Sequence, residues 1–171
     1  MGDLKCVSAT RFVFLLAVSV LILCASTAAY GGDNLISLSF NIDGTYMEEP
    51  AVFSYWFDKI NTENELFRMT VTSKQVDDRV LLEWIIDKKN QNSYYKDSKN
   101  TGGSWQTVPY MSSLWSRFRD PVLNERGADF WLGLGGEEEY IVMEDEEGEE
   151  QEVKIYDIKV NEPIDGEVFE P

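Results

Sequence analysis

The chain has no histidine, and its only cysteines, Cys6 and Cys24, both stand near the start. Without imidazole there can be no Ser–His–Asp or Cys–His nucleophile. Zinc, copper and iron sites built on imidazole or thiolate are excluded as well, which leaves only oxygen ligands of the kind that suit calcium or magnesium. Positive charge is also scarce: fifteen Lys and Arg stand against thirty-one Asp and Glu. The chain has no Asn-x-Ser/Thr sequon, no internal repeat and no linker rich enough to divide it.

What is present begins with a leader. Lys5 and Arg11 precede an apolar run, Phe12–Cys24, followed by the small residues 25–29, ASTAA. This is the layout of a secretory signal peptide, with cleavage expected before Tyr30. The run is shorter than the roughly 20 residues needed to span a bilayer, so cleavage is favoured over a retained membrane anchor. A lipoprotein reading through Cys24 is weaker, because Leu23 stands where a small residue is needed. Two regions are therefore expected: a signal peptide at 1–29 and one domain at 30–171. Removing the leader takes away both cysteines together with Lys5, Arg11 and Asp3. The mature chain then has no disulfide and a net charge of −17. A surface this acidic repels nucleic acid and anionic headgroups.

The mature chain reads as mainly β. The stretch 79–105, RVLLEWIIDKKNQNSYYKDSKNTGGSW, organises it as strand, turn, strand, turn, strand in an antiparallel meander. Before it, strands are expected at Asn34–Asp43, ended by Asp43-Gly44, at Ala51–Lys59, and at Leu66–Ser73, where Phe67, Met69 and Val71 alternate with Arg68, Thr70 and Thr72. In Arg79–Asp87 both faces are apolar. Val80, Leu82, Trp84 and Ile86 point one way, Leu81 and Ile85 the other, so both faces must be covered. The best cover is Tyr110–Val122, where Met111, Leu114, Trp115 and Phe118 fall at helical spacing with Arg117 and Arg119 facing away. Ser112 or Ser113 is the expected cap and Pro121 the expected stop. Ala128–Gly136 reads as a strand loosened by glycines. Glu139–Glu144 and Glu152–Asn161 read as two further strands, the latter with Tyr156, Ile158 and Val160 as its inner row.

Three constellations invite chemistry. Ten of the sixteen residues Glu137–Glu152 are acidic. No EF-hand spacing is present, and Gly148 marks a hairpin tip, so a solvated turn is favoured over a calcium site. Carboxylate pairs for glycoside hydrolysis carry almost no signal among so many acids. Trp56, Trp84, Trp105, Trp115 and Trp131 can stack on sugars or line a lipid cavity, but a packed core uses at least half of them. No catalytic residue, metal or cofactor is expected.

Three patches resemble the outer-membrane lipoprotein carrier superfamily (LolA-like and LppX/LolB-like proteins). ELFRMTVTS at 65–73 is similar to its strand carrying Phe-Arg. IIDKKNQNSYYKDSKNTGGSW at 85–105 is similar to its central hairpin, with Asp87-Lys88 in place of the usual Asp-Gly. DIKVNEPIDGEVFEP at 157–171 is similar to its closing strand and tail. The family's long N-terminal helix has no counterpart, and Arg68 matches the motif without inheriting a lid-locking role. The resemblance implies an antiparallel, open (incomplete) β-barrel with a short helical lid around an apolar cavity. It implies an exported, periplasmic or extracellular monomer, cell-surface anchored if the leader is retained. Such a protein carries a lipid or lipidated protein, with transient membrane or receptor contact. The expected lining is Phe67, Met69, Trp84, Leu114, Trp115 and Phe118. A competing resemblance, through GGSWQTVPY, ADFWLGLGG and VKIYDIKV, is to carbohydrate-binding jelly rolls, and a third possibility is an adhesive surface domain without a small ligand.

Overall fold

The computed structural model describes residues 35–171 apart from Asp78, Gly135 and residues 145–149, together with the backbone alone at residues 143, 144, 150 and 151. The expected leader at 1–29, both cysteines and the turn expected around Gly148 lie outside the described residues. The described chain is mainly β: β1 (Ser37–Tyr46), β2 (Glu49–Asp58), β3 (Leu66–Ser73), β4 (Val80–Asp87), β5 (Asn92–Asp97), β6 (Gln106–Pro109), β7 (Glu139–Glu144) and β8 (Glu150–Val160). They form one eight-stranded antiparallel sheet in the order β6-β5-β4-β3-β2-β1-β8-β7. The order is a meander from β1 to β6, with the last hairpin returning to pair with β1. Strands β6 and β7 are its edges, so the sheet is open. Between them in sequence lie α1 (Ser112–Arg119), a π turn (Asp120–Asn124) and α2 (Ala128–Leu134).

The alternation along each strand becomes rows across the sheet. Leu38, Phe57, Phe67 and Ile86 stand opposite one another in β1–β4, and Phe40, Tyr55, Met69, Trp84 and Tyr95 form the next row across β1–β5. Ile42, Phe53, Val71 and Leu82 form a third. These rows make the face that α1 and α2 cover. On the opposite face Trp56, Arg68, Ile85 and Tyr94 stand in line, beside Ser54, Thr70, Glu83 and Lys96.

Two bulges, where one extra residue sits in a strand, shift this alternation. In β4, Val71 pairs with Leu82 but Thr72 pairs with Val80, so Leu81 is the extra residue and joins the main core instead of the opposite face. In β8, Ser39 pairs with Lys159 but Asn41 pairs with Tyr156, and Asp157 takes φ +53°. The extra residue brings Ile155 and Ile158 together into the core. The expected inner row of Tyr156, Ile158 and Val160 is therefore corrected: Ile155 replaces Tyr156, whose side chain turns to Asp43.

The Asp43-Gly44 pair does not end β1, which runs on to Tyr46 and turns through Met47 and Glu48, both at positive φ. Gly44 serves close approach instead: a Cβ there would meet Cε2 of Phe53 at 2.9 Å. The β5–β6 turn is built on Asp97, whose carboxylate accepts from the Lys99 and Asn100 backbone at 2.7 and 3.0 Å and from Asn100 Nδ2 at 2.8 Å.

The 110–122 helix is present but differs at both ends. Its N-cap is Met111, with no side-chain cap from Ser112 or Ser113; the Leu114 and Trp115 amides donate instead to the Met111 carbonyl. Pro121 does not stop it. The chain widens into the π turn, where the Glu125 amide reaches the Asp120 carbonyl at 2.9 Å, a five-residue step that accommodates the missing proline N–H. The strand expected at Ala128–Gly136 is α2. Phe130, Trp131 and Leu134 recur at helical spacing and pack on the core, and the Trp131 indole donates to the Val122 carbonyl at 2.7 Å.

The second cover required by β4 is the C-terminal segment. Asp165 caps a 3₁₀ turn, Gly166–Phe169, by accepting from the Glu167 amide, and Arg68 Nη1 donates to the Val168 carbonyl at 2.6 Å. This turn lies against β3 on the face opposite α1, with Phe169 and Ile85 buried there.

Candidate functional site

The six residues expected to line an apolar site come together in one cluster. Phe67 is its centre. It stacks on Phe118 at 4.9 Å, meets Trp115 edge-on at 5.9 Å and tilts against Phe57 at 4.9 Å. Trp84 lies 6.0 Å from Phe118 and stacks on Tyr95 at 5.3 Å. Met69 is buried beside them in the middle row, and Leu114 packs on the cluster from α1. The structure therefore places Phe67, Met69 and Trp84 on adjacent positions of β3 and β4, and Leu114, Trp115 and Phe118 above them on α1.

The second half of this surface lies outside the expected lining. Phe40 stacks between Tyr55 at 5.0 Å and Trp131 at 4.7 Å, and Phe130 meets Trp131 edge-on. Alternation puts Phe40 and Tyr55 on the apolar faces of their strands, whereas the glycines around Trp131 point to a strand where the structure has a helix. The signal that identifies it is the spacing of Phe130 and Leu134, four residues apart on one helical face. Tyr55, Trp84, Tyr95, Leu114 and Tyr110 are half-buried, so the cover is not sealed along this line.

Polar groups ring the cluster. Glu65, directly before β3, is fully buried. Its Oε1 accepts from Arg119 Nε at 3.0 Å, and Lys88 Nζ stands 3.5 Å from Oε2. Arg119 also donates to Asn124 and Asn61, at 2.7 and 2.5 Å. Arg119 thus does not face away from the sheet, as helical spacing alone suggested; it ties α1 to the β2–β3 turn. Arg68, by contrast, lies on the far face, where Glu83 is held between it and Lys96, and Lys96 lies over the Trp105 ring at 5.0 Å. Burial pushes the Tyr55 phenol well above its usual range. Burial, reinforced by the Glu65 charge, raises that of Tyr110. These phenols stay neutral near pH 7.

Four buried polar atoms have no hydrogen-bond partner among the described residues: Glu65 Oε2, Trp84 Nε1, Ser93 Oγ and one Arg126 guanidinium nitrogen. Also among the described residues, no group of three or more His, Cys, Asp or Glu is placed to hold a metal ion, and no helix is long and apolar enough to cross a membrane. Comparison with family models, curated proteins and solved structures finds no match.

Proposed function

We propose that this chain is an exported, carrier-like binding protein of the lipoprotein-carrier type, which holds an acyl lipid or a lipidated partner between its aromatic rows and the α1–α2 cover. One observation carries the reading: a continuous aromatic surface on a single open sheet is covered by two helices of eight and seven residues joined by a π turn. Helices this short do not persist by their own hydrogen bonds; they hold because their apolar faces pack. Whatever competes for that packing competes with the cover itself. Each CH₂ drawn out of water is worth about 0.8 kcal/mol, so an acyl chain of ordinary length supplies enough to displace part of it.

Among the described residues the buried carboxylates are engaged in structural pairs: Glu65 with Arg119 and Lys88, Glu83 with Arg68 and Lys96, and Asp97 with its own turn. This supports binding over catalysis. The leader at 1–29 supports export, with transient contact at a membrane or receptor when cargo is exchanged. The carbohydrate-binding reading has less support. It expects strands packed as two facing sheets, whereas the described strands form one sheet and ADFWLGLGG contributes α2.

Native mass spectrometry of the purified protein tests the proposal. Adducts with the masses of acyl lipids, released by organic extraction, are the expected result. Bare protein that takes up no added lipid but is retained on polysaccharide columns overturns it in favour of the carbohydrate reading.

A further inference from the structure

Two of these four polar atoms belong to the sheet face that the helices cover, and one of them, on Trp84, stands beside Phe118 of α1. Trp84 stands opposite Tyr95, and Ser93 opposite Ile86. Both side chains are on the helix-covered face as diagonal neighbours, a relation that puts such residues about 7 Å apart. Ser93 is fully buried, and among the described residues neither Trp84 Nε1 nor Ser93 Oγ has a hydrogen-bond partner. A buried N–H or O–H left unpaired is costly, so native proteins nearly always satisfy such groups. An indole nitrogen only donates, and a hydroxyl can donate as well. Around them are the Tyr95 ring, stacked on Trp84, and the Phe118 ring above it. The site therefore offers two neutral donors in an aromatic wall, beside the half-buried residues where the cover is not sealed.

The partner such a pair calls for is an oxygen with two lone pairs and no full charge. A carboxylate placed there would be desolvated against two neutral donors, on the same face as buried Glu65, two residues before Phe67. A pure hydrocarbon would leave both donors unsatisfied. We infer that Trp84 Nε1 and Ser93 Oγ form a subsite for the carbonyl oxygen of an acyl ester or amide. The cargo is then an acylated molecule, not a free fatty acid or a bare alkyl chain. This inference rests on the apolar-ligand reading and narrows it.

Two probes that differ only in that carbonyl test it: 1-monolauroylglycerol and its ether analogue 1-O-dodecylglycerol, with laurate as the charged control. Affinities are measured by titration calorimetry below micelle formation. The ester is expected to bind the full chain about tenfold more tightly than the ether, the size of one good hydrogen bond, and more tightly than laurate. In Trp84→Phe and, separately, in Ser93→Ala, the ester-to-ether ratio is expected to fall toward one. The ratio is read within each variant, so a change in overall affinity does not obscure it. Equal affinities in the unaltered protein, as a resident water on the two donors would produce, overturn the inference. A preference for laurate, or a ratio that survives both substitutions, does the same while leaving apolar binding intact. Failure of all three probes to bind removes the apolar-ligand reading itself.

Discussion

Arg119 Nε donates to Glu65 Oε1 at 3.0 Å, joining the last residue of α1 to a carboxylate that has no exposed surface. Arg119 is itself largely covered, and its other nitrogens reach Asn124 and Asn61. One guanidinium therefore binds the helix end, the π turn and the β2–β3 turn into a single unit at the edge of the aromatic cluster.

Breaking that pair from one side leaves the buried carboxylate, among the described residues, with Lys88 at 3.5 Å to offset it. Arg119→Ala is expected to cost about 3 kcal/mol, in line with other half-broken buried pairs. Adding Glu65→Gln should recover part of the loss, because the neutral amide needs no counter-charge. Urea unfolding of the two variants decides this; a loss below half a kcal/mol for Arg119→Ala, set against the about 3 expected, contradicts the latch.

Trp115 is buried against Phe67. Trp115→Glu is expected to lift α1 from the sheet and weaken uptake of a fluorescent acyl probe at least tenfold, while the far-ultraviolet circular dichroism of the sheet persists. Unchanged uptake counts against α1 as the cover of the binding surface.

Gly44 leaves room for the Phe53 ring. A methyl group there would stand 2.9 Å from Cε2, and that ring would have to shift. Gly44→Ala is expected to lower stability by about 1–2 kcal/mol through overpacking. Phe53→Leu in the same chain should lessen the effect of Gly44→Ala, which a double-mutant cycle by thermal unfolding measures.

Tyr156 donates to Asp43 at 3.0 Å, and Lys74 meets the same carboxylate at 2.7 Å. Partial burial, with Asp43 beside it, pushes the Tyr156 phenol up to about 12. A phenol whose folded value is raised contributes stability that is fully present below about pH 10 and lost as pH climbs toward 12. Asp43 runs the other way. Burial pulls its carboxyl up, but the Lys74 and Tyr156 hydrogen bonds outweigh this and hold it below its usual value. Its contribution is present above about pH 4 and fades as pH falls through the folded value. Absorbance at 295 nm should show one tyrosine titrating near 12 that disappears in Tyr156→Phe; a transition near 10 for that residue contradicts the assignment.

Phe169 is buried where the C-terminal turn lies against β3. Phe169→Ala is expected to cost about 3 kcal/mol and to raise hydrogen exchange in β3 and β4 with little change at α1. Protection that falls first at α1 instead would show that the two covers are not independent.

Much of this architecture was legible in the residues. Leu66–Ser73 forms a strand over the span that its alternation marks, Glu139–Glu144 is a strand over the expected bounds, and the meander expected over 79–105 follows its turn residues, with its last strand at Gln106–Pro109. The apolar doubling of β4 also led correctly to covers on both faces. A local signal misleads where it has more than one structural use. The Asp43-Gly44 pair resembles a hairpin turn, yet its glycine makes space for a ring on the next strand. The glycines of 128–136 suggest a loosened strand, while the spacing of Phe130 and Leu134 belongs to a helix. Arg119 looks solvent-facing on a helical projection, because nothing in its own segment reveals the buried carboxylate that directly precedes β3.

By itself, then, the amino-acid order determined the strand periods, the amphipathic stretch at 110–122, the charge balance and the types of chemistry for which no residue exists. These depend on neighbours within a few positions, where backbone geometry dictates which side chains share a face. Only the tertiary structure decided that β8 returns to β1, that bulges at Leu81 and Asp157 change which residues meet the core, that the C-terminal turn lies on the second face, and that Trp84 and Ser93 share the helix-covered face with no hydrogen-bond partner among the described residues. Those outcomes depend on pairing between residues distant in the chain, where shifting a strand by one position turns every side chain to the other face.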